Sequence, residues 1–91
     1  MRYYVTWKDA SFRTVKEQQI DYVGMQAELV ENLGREFMEK IAEQPGMADK
    51  DLRVTLTDRA AVVHSTGGIA GTVVVEQFQG ESMARILRGL R

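Results

Sequence analysis

Residues 59–78 read "RAAVVHSTGGIAGTVVVEQF", and the fold turns on what its middle does. Three glycines, Gly67, Gly68 and Gly71, stand beside the chain's one histidine, a serine and a threonine. Glycine-rich loops can cradle phosphates, so two readings compete. A Walker loop needs a lysine and a hydroxyl residue directly after its glycines. Here Gly71 is followed by Thr-Val-Val-Val. A dinucleotide loop needs a helix after it, because the helix N-terminus holds the pyrophosphate. Here a β-rich run follows. "GIAG" at 68–71 has the bare GXXG spacing of an RNA-binding KH loop, whose context differs from two flanking strands. The stretch therefore reads as the tip of a β-hairpin, with Gly67-Gly68 supplying positive φ.

Working outward, "DLRVTLTD" at 51–58 alternates apolar and polar residues, as a half-buried strand does. At the other end "RYYVTWK" alternates too, with Tyr3, Val5 and Trp7 on one face and Tyr4, Thr6 and Lys8 on the other. "KDAS" signals a turn and "FRTVK" returns, making an N-terminal hairpin. Between these β regions the period changes. Ile20, Val23, Ala27, Val30, Gly34, Phe37 and Ile41 are spaced for one helix face. The spacing predicts a helix from about Asp21, its N-cap, to Gln44, where Pro45-Gly46 stops it. Glu31–Arg35 and Glu36–Lys40 are i,i+4 pairs in the favourable order. Gly34 lies on the apolar stripe and implies a close backbone approach. "GESMARILRGLR" at 80–91 predicts a closing helix, capped by Ser82, with Met83, Ile86, Leu87 and Leu90 inward.

The expected fold is α+β: one domain over residues 1–91, in the order β-β-α-β-β-β-α. A mostly antiparallel sheet of four to five strands carries one long helix and one short C-terminal helix. A 24-residue helix of about 36 Å outruns strands of roughly 17–20 Å. Its projecting stripe would need cover, which a homodimer supplies, unless Gly24 marks a late start and the shortened helix is satisfied within the monomer.

Composition narrows the function classes. The chain has 91 residues, 44% apolar and 27% charged, with net charge −1. It is no polycation for nucleic acid. No cysteine is present, so thiolate chemistry and a His/Cys zinc site are excluded. No apolar run approaches the ~20 residues of a membrane span, and "MRYYVTWKDA" has no signal-peptide core. A cytoplasmic protein without cofactor, metal or catalytic residues is the expectation.

His64 is the one candidate general base, with Ser65 or Thr66 as nucleophile. Adjacent strand residues face opposite ways, so His64 and Ser65 do not meet. With an even-length turn, His64 shares a face with Val62, Val73, Val75 and Gln77, and Ala61, Val63, Val74 and Phe78 lie opposite. Arg85, Arg88 and Arg91, with Arg2 and Arg13, make a possible phosphate-contacting edge. From the long helix onward the order matches double-stranded-RNA-binding domains in topology alone.

The reading that follows is a small non-catalytic interaction module, regulatory, inhibitory or accessory. It acts by binding another macromolecule, a protein partner or a second copy of itself. Its expected interface is Tyr4, Trp7, Phe12, Val63, Val74 and Phe78, on the first hairpin and the sheet's second face. A nucleic-acid-binding domain using the three C-terminal arginines is one alternative. A small dimeric enzyme with a pocket near His64 is the other.

Overall fold

A computed structural model describes residues 1–47 and 51–77. Its elements are β1 (Arg2–Lys8), β2 (Thr14–Asp21), α1 (Gln26–Ala42), β3 (Arg53–Leu56), β4 (Ala60–Ser65) and β5 (Gly68–Gln77). They form one five-stranded sheet in the order β2-β1-β5-β4-β3, with every neighbouring pair antiparallel. The α+β class and the antiparallel sheet are as expected. The seven-element order as a whole is not matched: one helix, not two, stands among the described residues. The closing helix expected after residue 80 lies outside them, as do Phe78, Arg85, Arg88 and Arg91.

The connection explains the layering. β2 is one edge strand and β3 the other, so the chain must cross the sheet between them. Five strands spaced ~4.8 Å are about 19 Å across, which a 17-residue helix of about 26 Å can bridge. α1 packs on β5, β4 and β3. The core lies between helix and sheet. Leu29 and Val30 of the helix meet Tyr3, Val5, Trp7, Ala61, Val73 and Val75 of the sheet. Val5, Val30, Val63, Val73 and Val75 are fully buried. Each such side chain contributes roughly 1.5–3 kcal/mol before entropy is counted.

The helix is shorter than its apolar spacing predicts. Residues 20 and 21 belong to β2, where Ile20 pairs with Tyr3 and Asp21 with Arg2. Arg2 Nε also lies 3.4 Å from the Asp21 carboxylate. Asp21 is therefore a strand residue and no helix cap; the N-cap is Met25, without a side-chain cap bond. Val23 is wholly exposed. Cross-strand pairing has overridden a helical spacing that continued by coincidence across Ile20 and Val23. The entry is tied down from the first turn instead. Gln26 Nε2 donates to the Asp58 carbonyl (3.0 Å) and the Val75 carbonyl (3.1 Å). With α1 this short, no stripe projects beyond the sheet, and helix length gives no reason for a dimer.

Gly34 does make the close approach that its position implies. A Cβ there would stand 2.6 Å from Ala61 Cβ, so the helix backbone rests directly on β4. Both expected ion pairs form on the solvent side of α1, Glu31 with Arg35 and Glu36 with Lys40.

Candidate functional site: the open face of the sheet

The registers sort every strand residue onto one of two faces. Ladder partners share a face and chain neighbours alternate. Tyr3, Val5 and Trp7 align with Ile20, Gln18 and Lys16 on one side and Gln77, Val75 and Val73 on the other. Ala61 and Val63 align with Val73 and Gly71. This is the face under α1. The other face carries Tyr4, Thr6 and Lys8 of β1, Glu17 and Gln19 of β2, Thr72, Val74 and Glu76 of β5, and Ala60, Val62 and His64 of β4. The one helix among the described residues packs on the opposite side, so no described helix covers this face.

A bulge decides the sorting. Ser65 pairs with Gly68 and His64 with Ile69, across a two-residue turn of Thr66 and Gly67. Val63 then pairs with Gly71, leaving Ala70 as the extra residue. An inserted residue reverses every later side chain relative to the partner strand. Val73 and Val75 thus join Ala61 and Val63 in the core. The expected sharing of a face by His64, Val73, Val75 and Gln77 is overturned, and so is that of Ala61 and Val63 with Val74. Only Val62 stays with His64.

The expected interface residues are dispersed accordingly. Val63 is fully buried beneath the helix, and Trp7 is 9% exposed on the same side. Tyr4 and Val74 lie half-buried on the open face. Phe12 sits in the β1–β2 loop at φ 65°, exposed, with the Lys8 ammonium 4.1 Å from its ring centroid. That loop is organised by Asp9, whose carboxylate accepts the backbone N–H groups of Ser11 and Arg13, both at 2.9 Å. The Arg13 bond, more than any other contact, holds the Asp9 carboxyl below the usual carboxylate range.

The open face is graded in charge along its strands. At the Tyr4 end stand Glu76 and, one row on, Glu17, which pairs with Thr6. A hydrogen bond to Glu17 raises the Tyr4 phenol above its ordinary pKa, with burial and the charges of Glu17 and Glu76 adding to it. Lys8 stands at the far end of β1, and Arg53 is paired with His64 beyond it. Between the two ends lie Thr6, Val74, Ala60, Thr72 and Val62. Thr72 is 4% exposed.

The chemistry around His64 is that of a turn. Ser65 Oγ donates to the Gly68 carbonyl at 3.2 Å and accepts the Gly67 N–H at 3.3 Å. Gly68 takes φ 124°, where side chains are rarely tolerated. The glycine stretch is a hairpin tip as expected, but the turn residues are Thr66 and Gly67, and of the Gly67-Gly68 pair Gly68 alone takes a positive φ.

A groove that sequence spacing did not reveal runs between α1 and the helix-side face of β2. Its volume is about 220 Å³, and Trp7, Lys16, Ile20, Leu33, Phe37 and Lys40 are among its lining residues. That is short of the roughly 300–1,000 Å³ of small-molecule sites. The Lys16 ammonium lies 4.7 Å from the Trp7 ring centroid in its wall. His64 does not line it. Among the described residues no group of three or more histidine, cysteine or acidic side chains is arranged to hold a metal. No helix there is long and apolar enough to cross a membrane. No known family model matches this chain, and the comparisons with curated proteins and with solved structures found no match.

Proposed function

We propose that the protein is a small non-catalytic interaction module, acting in the cytoplasm by binding another protein chain through the open face of its sheet. The observation that carries this reading is the five-stranded face itself, with Val62, Val74 and Tyr4 in a setting of threonines and no helix above them among the described residues. An antiparallel sheet can leave one face to water. Such a face is then dominated by charged and long polar side chains. Here the charges stand at the ends of the strands and, as Glu17, on the edge strand β2, and the middle is held by threonine, alanine and valine. Depletion of charge at the centre with a polar rim is the layout of an interface core. Tyr4 adds the amphipathic aromatic that interfaces favour.

The test replaces Val74 with lysine at the centre of the face. The expected result is loss of association in solution mass and in partner capture, with the thermal transition little changed. Association that survives Val74→Lys places the interface elsewhere. A protein that associates with nothing before substitution has no such function.

A further inference from the structure

We propose that residues 82–91 of the same chain dock as an amphipathic helix in the groove between α1 and β2, completing the helix layer on that side of the sheet. The inference concerns the helix-side face and stands whether or not the open face binds a partner. It starts from a gap. α1 approaches β5, β4 and β3 but neither β1 nor β2. The surface left beside it is apolar all the same. Trp7 and Ile20 line the sheet side of the groove, and Leu33 and Phe37 line the α1 side. Ile20, Leu33 and Phe37 pack against the core and are only half-buried. Covering such surface stabilises by about 25 cal/mol per Å².

The layer has room for one more helix. Packed helix axes lie about 8–10 Å apart, and neighbouring strands about 4.8 Å apart. Two strand spacings therefore carry a second helix from β5 and β4 to β2 and β1.

Residues 78–91 follow β5 and have the length to reach this place. Gln77 ends β5 in one row with Tyr3 and Ile20. The chain thus leaves the sheet at the Ile20 end of the groove, about 10 Å from β2. The linking residues 78–81 reach up to about 14 Å. From Ser82, the expected N-cap, a helix to residue 91 runs about 15 Å. Along β2 the groove runs from Ile20 to Lys16, which pairs with Trp7 at the far end. That distance is about 13 Å. Met83, Ile86, Leu87 and Leu90 make one apolar stripe, and Arg85 and Arg88 fall opposite it. An apolar cavity of about 150 Å³ holds a benzene, so a groove of about 220 Å³ takes side chains from such a stripe. The open face is a poorer seat. Glu76 and Glu17 stand beside Tyr4 and Thr6, and an apolar stripe laid there buries carboxylates.

The experiment reads proton–proton Overhauser contacts in the unaltered full-length protein, using Trp7, its only tryptophan, as the landmark. Leu87 and Leu90 methyl groups should contact Trp7, Leu33 or Phe37. In a mixture of labelled and unlabelled protein those contacts should arise within one chain. Leu87→Asp, in the full-length chain, should lose them and shift Trp7 emission to longer wavelength, while a cooperative thermal transition remains. Should that variant fail to fold, the contacts in the unaltered protein still decide. Contacts from Leu87 to Val62 and Val74 overturn the inference and give the segment the open face. Contacts found only between chains overturn it and give the groove to a second copy. No contact between residues 82–91 and the groove overturns it as well. A groove filled in this way in a protein that captures no partner keeps the inference and removes the interaction reading.

Discussion

Val74 and Val75 are the same residue on the same strand, one position apart, and they live in different solvents. Val75 is fully buried against α1, while Val74 is half-buried on the open face. What separates the two faces is therefore not composition. β5 offers valine at 73, 74 and 75 in succession, and only register decides which of them the helix covers. The covered face is the stability of this protein. The open face carries no helix among the described residues and is the face proposed for function.

The sharpest way to break this contrast is to place an acid at each position. Val75→Asp buries a carboxylate without a partner, at a cost of about 3–5 kcal/mol or more. Total stabilities run at roughly 5–15 kcal/mol, so this variant should be largely unfolded by far-ultraviolet circular dichroism. Val74→Asp should stay folded, with a change within about 1 kcal/mol in urea unfolding. Equal effects would mean that the open face is covered in the folded chain.

Gly34→Ala probes how closely the covered face is packed. Alanine gains up to about 1 kcal/mol of helix propensity. Its Cβ would meet Ala61 Cβ, which is anchored to backbone and cannot turn aside. Overpacking costs about 1–3 kcal/mol, so the clash should win and the variant should be less stable by roughly 1–2 kcal/mol. A more stable variant would show the helix free to lift from β4.

Deleting Ala70 tests the bulge. The shortened strand continues the His64–Ile69 register straight into Val63–Gly71, so Val73 and Val75 keep their faces. Stability should change by about 1 kcal/mol or less, although a residue has been removed from a strand. Unfolding of this variant would mean that the bulge supplies a twist the sheet requires.

The smallest effect concerns acid. The Asp9 pKa is lowered in the fold, chiefly by the Arg13 backbone bond, so its contribution is present above the ordinary carboxylate range. It begins to be lost below about pH 4 and is gone once pH falls through the folded value. The advantage of the native chain over Asp9→Asn, read as the difference in thermal midpoint, should therefore shrink between pH 5 and pH 2. An advantage unchanged at pH 2 would assign the loop's order to other contacts.

Much of this was legible in sequence because period-2 and period-3.6 patterns report local geometry. The alternation of "RYYVTWK" placed Tyr3, Val5 and Trp7 on one face, and the structure keeps them there. The glycine tip was readable from what stood on either side of it. Gly34 was readable as a contact because a glycine on an apolar stripe has a cost that something must offset. The helix start was readable only as a choice between Asp21 and a late start after Gly24, and the structure takes the later one. Ile20 and Val23 continue its spacing, and nothing local says that Asp21 will be held beside Arg2 from nineteen residues earlier. The open face was half legible: Tyr4 and Val74 belong to it, but Trp7 and Val63 do not.

The sequence by itself determined the element types between residues 2 and 77, the hairpin tip and the exclusion of thiolate and zinc–thiolate chemistry, since these depend on local pattern and residue count. Only the tertiary structure decided that β5 lies between β1 and β4, and that Ala70 bulges. It therefore also decided which valines are core and which are surface. The physical reason is the two-residue period of a strand. A single extra residue leaves no mark on local propensity, yet it exchanges the two faces of everything that follows.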